Sequence, residues 1–237
     1  MTSLKVKSKS SPAIILAGGL GTRLRPVISD LPKPMAPVNG KPFLHNIFQY
    51  LVRQQINEVV LSVGYKNEVI QNFFGDNYAG IAIKYSVEIE PLGTGGGIKQ
   101  AFELVNDFAF VINGDTFFDV ELAALKEFYG HSNCDMALSL KQLQNFDRYG
   151  TVKLDKEQRI QEFTEKQLMS EGLINGGVYY LSKKLFDKVE VSNKFSLEKD
   201  VLEKYVHTLK FYGKTFGGYF IDIGIPEDYQ KAQHDFA

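Results

Sequence analysis

The chain has 237 residues, 44% of them hydrophobic, with 27 basic against 28 acidic side chains and a formal net charge of −1. That length supports one sizeable core or two tightly joined ones, and the even charge argues against a nucleic-acid surface, which carries a basic excess. A single cysteine, Cys134, excludes an internal disulfide framework, no apolar run reaches a membrane span, and the start MTSLKVKSKSSP lacks the apolar stretch of a secretory signal, so a cytoplasmic protein is expected.

Residues 1–11 read as a basic, solvated tail and 12–237 as one domain. AIILA at 13–17, bounded by Pro12 and Gly18, suits a buried strand. A helix is predicted over 43–56, where Phe43, Ile47, Tyr50 and Leu51 share a face. EVVLSVG at 58–64 predicts a second buried strand, NEVIQNFF a helix stopped at Gly75, and IAIKYSVE at 81–88 a third strand. GTGGGIKQAFELV at 93–105 opens rich in glycine and becomes a helix, and FAFVING at 108–114 is a fourth strand running to Asp115. Asp119 is placed to cap the helix that follows it.

From Cys134 onward the pattern turns to strands: CDMALSLK at 134–141, a hairpin of 151–155 and 159–166, and VYYLS after Asn175-Gly176-Gly177. Ser196 caps a helix in SLEKDVLEKYV, with Lys199 where an acid is usual. TLKFYGKTFGGYFIDIG reads as a strand carried to Gly224, and Pro226 opens a final helix. The alternation predicts an α/β fold: a mostly parallel mixed sheet flanked by helices, with a small β extension. Ligands in such folds sit beyond the carboxyl ends of the strands. Three polar clusters fall there: Gly18 to Lys33, Glu90 to Gly97, and Asn113 to Asp115.

Gly18, Gly19 and Gly21 permit close backbone approach to a ligand, and consecutive amides in such a turn hold phosphate oxygens. Arg23 can fork onto two oxygens, while Lys33, between Pro32 and Pro34, is a compact point charge. The stretch AGGLGTR has neither the G-x-x-x-x-G-K-[ST] pattern of an ATPase loop nor the dinucleotide spacing. Asp115 closes VINGD, and Asp222 is set among Phe220, Ile221 and Ile223, where a charge needs a partner. Two such carboxylates with phosphate oxygens suit Mg²⁺, a cap or a salt bridge being the alternative for either alone. His45, His131, His207 and His234 show no mutual ligand spacing, and Cys134 reads as a buried, inert thiol.

LAGGLGTRLRP, LPKP, NGKP, EPLGTGGGI, NGD, EFTEK, INGGVYYL and FIDIGIPEDY together resemble the sugar-1-phosphate nucleotidylyltransferases, from Ala13 to about Gln233. The resemblance implies a Rossmann-like sheet whose nucleotide-binding half is about 12–133 and whose acceptor-binding half is about 134–237. It implies transfer of a nucleotidyl group to a sugar 1-phosphate with release of pyrophosphate. On that likeness Gly18, Gly19, Gly21, Thr22 and Arg23 surround the triphosphate, Arg23 on the leaving phosphates, and Leu16 and Ala17 belong to the nucleotide site. Lys33 stands at the α-phosphate or the attacking phosphate. Glu90, Pro91, Gly93 and Thr94 lie over base and ribose, with Asn113 and Gly114 near the ribose. Asp115 and Asp222 match the metal-binding positions. Lys166 meets the acceptor phosphate, Glu165 the sugar ring, and Asn175 with Gly176 the sugar; the bland alternative is a salt-bridged hairpin and a turn.

The short chain, EPLGTGG and INGDTFFDV are most similar to the guanylyl-transferring members, which implies GTP as donor and a heptose 1-phosphate as acceptor. Mannose 1-phosphate, and uridylyl or cytidylyl transfer, remain open, as does a homodimer against a monomer. A silent sugar-nucleotide sensor is the non-enzyme alternative; it has no need of Lys33, Asp115, Lys166 and Asp222 together.

Overall fold

The computed structural model describes residues 10–19 and 31–237. After β1 (Ala13–Leu16) come a 3₁₀ turn at Lys33–Met35 and a short ribbon of β2 (Pro37–Val38) and β3 (Lys41–Pro42). Helix α1 (Phe43–Arg53) buries Phe43, Ile47, Tyr50 and Leu51 as its spacing predicts. It stops short of Ile56 because Gln55 turns left-handed (φ 59°) and the Ile56 N–H folds back onto the Leu51 carbonyl at 3.0 Å. Then follow β4 (Glu58–Val63), α2 (Asn67–Phe74), β5 (Asn77–Tyr78), β6 (Ile81–Val87) and α3 (Gly93–Ala101). The first half closes with β7 (Phe108–Asn113), β8 (Thr116–Phe118) and α4 (Leu122–Ser132). Asp119 does not cap α4: the helix begins after Glu121, and Gln54 Oε1 accepts from the Leu122 N–H at 3.0 Å.

In the second half β9 (Met136–Phe146) runs beyond the predicted stretch, and β10 (Val152–Leu154) and β11 (Ile160–Phe163) form the expected hairpin. β12 (Met169–Ser182) takes in the Asn-Gly-Gly stretch rather than starting after it. Its pairing with β9 is interrupted between Asn175 and Tyr179, a bulge that re-aims Asn175. A π-helical turn at Leu197–Glu203 explains the odd capping box. Ser196 Oγ accepts from the Lys199 N–H at 3.2 Å, while the reciprocal acid is Asp200, accepting from the Ser196 N–H at 2.7 Å. The wider turn moves that acid one residue along.

The segment predicted as one strand to Gly224 is two. β13 (Phe211–Thr215) lies in the main sheet, whereas β14 (Phe220–Asp222) turns away at Gly217-Gly218 to pair antiparallel with β8. Lys141 Nζ fastens that turn by donating to the Gly217 and Gly218 carbonyls at 3.0 and 2.6 Å. Helix α5 (Pro226–Asp235) begins at the expected proline.

The central sheet has the order β13-β9-β12-β7-β1-β4-β6-β5. β7, β1, β4 and β6 are mutually parallel, and β12 joins antiparallel to both β7 and β9. Alternation along each strand divides the core. Ala13, Ile15 and Val59 pack with α1, α2 and α4 on one face, and Ile14, Val60 and Val111 with α3 and the Leu197–Glu203 turn on the other. Among the described residues no helix is long and apolar enough to cross a membrane.

Candidate active site at the carboxyl edge of the sheet

The 3₁₀ turn holds Lys33 almost fully buried between its two prolines. Its Nζ lies 2.7 Å from Asp115 Oδ2 and 3.5 Å from Asp222 Oδ1. Asp115 sits in the turn between β7 and β8 and accepts from Thr116 Oγ1 at 3.2 Å. Asp222 ends β14 directly opposite Thr116, and its Oδ1 also accepts from the Gly224 N–H at 2.8 Å. Three charges far apart in sequence thus form one cluster. Burial, and then the nearby Asp115, push the Asp222 carboxyl above its ordinary value, against the opposing pull of Lys33 and the Gly224 amide. Two carboxylates share one ammonium there, so negative charge is in excess.

That imbalance bears on a metal. Among the described residues no group of three or more His, Cys, Asp or Glu gathers for an ion. The two carboxylates nonetheless form an all-oxygen donor pair with excess negative charge, which fits a hard divalent cation that completes its shell from phosphate oxygens and water.

Beside the cluster opens a cavity of about 590 Å³ lined by Asp115, Asp222, Thr94, Asn113, Lys166 and Asn175. Gly176 lies on its wall, where an added Cβ would come within 2.4 Å of the Phe118 ring. Lys166 and Glu165 are exposed and follow the end of β11 in a loop. Glu165 lines a neighbouring cavity that Lys166 and Asn175 share. Asn175 is held by its Nδ2 donating to the Tyr179 hydroxyl at 2.8 Å and its Oδ1 accepting from the Gly177 N–H at 3.0 Å.

The nucleotide-side residues gather at the ends of the parallel strands. Leu16 closes β1, and the Ala17 N–H donates to the Ser62 carbonyl of β4. Gly114 donates to the Leu16 carbonyl, and a Cβ on it would meet that oxygen at 2.4 Å. Gly19 is exposed; Gly21, Thr22 and Arg23 lie outside the described residues.

Glu90 and Pro91 are exposed, and it is Glu88, two residues earlier, whose carboxylate turns inward. Glu88 accepts from Ser62 Oγ at 3.0 Å and the Leu92 N–H at 2.9 Å, and its Oε1 stands 2.9 Å from where Gly18 or Gly97 would carry a Cβ. Alternation along β6 sends Glu88 to the same face as Ser86, a signal the sequence offered. Arg148 and Tyr149 also line the first cavity without prior notice. Arg148 Nη2 pairs with Asp228 Oδ2 at 2.5 Å, and burial and Asp222 push the Tyr149 hydroxyl well above its usual range, so it stays protonated. Away from the site, His45 shares a 2.8 Å hydrogen bond with Tyr78, and burial raises the Cys134 thiol to about 12, which keeps it inert.

The glycines opening α3 serve packing. Gly93 has φ 76°, and a Cβ there would meet the Phe195 carbonyl oxygen at 2.5 Å, while one on Gly95 would strike the Phe195 ring at 2.2 Å. Gly93→Ala is expected to lower stability by about 2 kcal/mol or more, from left-handed strain plus overpacking. Urea unfolding measures it; a change near that of an ordinary surface substitution would mean the loop gives way.

An α/β sheet whose carboxyl edge gathers a lysine and two carboxylates beside two adjoining cavities is the frame of a phosphate-transfer enzyme. The nucleotidyl transferase family matches residues 12–237, and the chain belongs to that family. It is 53% identical over 224 residues to D-glycero-alpha-D-manno-heptose 1-phosphate guanylyltransferase of Aneurinibacillus thermoaerophilus, covering 94% of this chain and 97% of that protein. The protein of the same name from Campylobacter jejuni is 52% identical, with 92% and 96% covered. Among solved structures, HddC from Yersinia pseudotuberculosis complexed with GMP-PN superposes with a TM-score of 0.84 at 40% identity, over 96% of this chain and 100% of that one.

Proposed function

We propose that this chain transfers GMP from GTP to D-glycero-D-manno-heptose 1-phosphate, giving GDP-heptose and pyrophosphate. The observation that carries the chemistry is the Lys33–Asp115–Asp222 cluster, whose two carboxylates line a cavity together with Lys166 and Asn175. The base and sugar follow from near-full-length identity above half to the heptose guanylyltransferases.

The acceptor already carries an ionised phosphate oxygen, so no protein nucleophile is needed. That oxygen attacks the α-phosphorus of GTP as the bond to the β-phosphate oxygen breaks, and the electron pair leaves with pyrophosphate. The protein's work is to align two anions and offset their repulsion. Lys33 places its ammonium where attacking and α-phosphate oxygens meet. Lys166 holds the acceptor phosphate, and Asn175 and Glu165 take sugar hydroxyls. Glu88, at the end of β6, offers a carboxylate that accepts from guanine N–H groups. Leu16 to Gly19, at the end of β1, meet the triphosphate. Asp115 and Asp222 would hold Mg²⁺, which when bound neutralises triphosphate charge.

The test is pyrophosphate release across a matrix of nucleoside triphosphates and sugar 1-phosphates with Mg²⁺. GTP with the heptose 1-phosphate should give the highest kcat/KM. A higher value with mannose 1-phosphate would move the acceptor, a higher value with UTP or CTP would move the base, and tight nucleotide binding without turnover would make the chain a sensor. Lys166→Ala should raise KM for the sugar phosphate about tenfold or more, the worth of one charge-assisted hydrogen bond, with KM for GTP little changed. An equal rise in both would remove Lys166 from the acceptor side.

A further inference from the structure

We propose that the second cavity is a subsite for the hydroxylated chain a heptose carries beyond its ring, and that Lys199 and Glu203 select that chain over the shorter one of a hexose. This inference rests on the guanylyl-transfer reading above and specifies where its acceptor is told apart from mannose 1-phosphate.

The second cavity measures about 570 Å³ and adjoins the first, sharing Gly150, Lys166, Asn175 and Glu198 as a common rim. Asp115 and Asp222 line only the first lobe. Of the residues expected to hold the acceptor, Gly176 lines only the first lobe, Lys166 and Asn175 line both, and Glu165 lines only the second. With its phosphate held in the first lobe, a sugar ring is therefore carried across the rim, and what extends past the ring enters the second lobe. The heptose differs from mannose in this portion alone, by one further hydroxylated carbon.

The lobe is built for a polyol. Its wall is the Ser196–Glu203 segment, where Lys199 and Glu203 line the cavity from exposed positions. Neither side chain makes an ion pair or side-chain hydrogen bond among the described residues. One is a donor and the other an acceptor, and a vicinal diol requires both.

The same wall is fixed to the nucleotide side. Glu198 Oε2 accepts from Thr94 Oγ1 at 2.7 Å and from Ser196 Oγ at 2.8 Å, and Thr94 Oγ1 accepts from the Leu197 N–H at 2.9 Å. The Phe195 carbonyl accepts from the Gly95 N–H at 3.0 Å. The protein's own hydrogen bonds thus brace the segment, and little ordering is required on binding. A site that hydrogen-bonds a hydroxyl discriminates against the analogue that lacks it.

The experiment measures kcat/KM for the heptose 1-phosphate and for mannose 1-phosphate with GTP, in the wild type and in Lys199→Ala/Glu203→Ala. Both positions are on the surface, so thermal unfolding should be unchanged. Wild type should favour the heptose; in the double variant the heptose value should fall about tenfold while the mannose value moves less than about twofold. Lys199→Arg/Glu203→Asp should restore part of the difference. Equal losses for both sugars, an unchanged ratio, or a wild type without heptose preference overturns the subsite and leaves guanylyl transfer standing. A wild type that turns over neither sugar with GTP overturns the guanylyl-transfer reading and the subsite with it.

Discussion

Lys33→Met is expected to lower kcat at saturating GTP and sugar phosphate by about 10²–10³-fold, the usual cost of losing one preorganised group aimed at charge that develops in the transition state. Methionine keeps the length and apolar stem of the side chain and removes only the ammonium. Because the interaction tightens as attacking and leaving oxygens share charge, the loss should fall on kcat more than on either KM. The same change leaves Asp115 and Asp222 facing each other without their cation. Breaking a fully buried pair costs ~3–5 kcal/mol, but the Asp115 side chain is 38% exposed and water screens part of the repulsion, so about 2 kcal/mol is expected. Mg²⁺ should recover that stability in the variant, since a divalent ion supplies the missing positive charge. Chemical denaturation with and without Mg²⁺ separates the two effects. An unchanged kcat would remove Lys33 from the chemistry.

Asp222→Asn should lower turnover by about 10²-fold or more and weaken its Mg²⁺ dependence, because an amide keeps the shape of the carboxylate but not its charge. The effect on stability has the opposite sign. The Asp222 carboxyl is raised by burial and by Asp115, so the folded protein binds its proton more tightly than the unfolded chain does. Its favourable contribution is present in acid and is lost as pH rises through the folded-state value. Above that point the ionised group is a cost, and asparagine, which can still accept from the Gly224 amide, removes it. In metal-free solution at neutral pH the variant should hold or exceed the wild-type Tm, with the advantage shrinking toward acid. A clear fall in Tm at neutral pH would mean that the pairing with Lys33 outweighs burial. Retained wild-type rate and magnesium response would remove Asp222 from the metal site.

The sequence by itself determined the alternating elements, because a buried parallel strand and an amphipathic helix each leave a local periodicity. It also marked the three charges of the cluster. Lys33 between prolines, Asp115 after a buried strand and Asp222 within an apolar run each stand out against their neighbours. Local pattern could not show that the three meet, which only the family likeness implied, for that depends on the long-range pairing of β14 with β8. A single extended strand to Gly224 was the natural local reading. The Lys141 clamp on Gly217-Gly218 breaks that strand, and its donor lies on another element. The π-helical wall and the docking of Phe195 on Gly93 and Gly95 were decided in the same way. Each is fixed by steric fit or a hydrogen bond between segments far apart in the chain, and such contacts leave no period in the sequence to read.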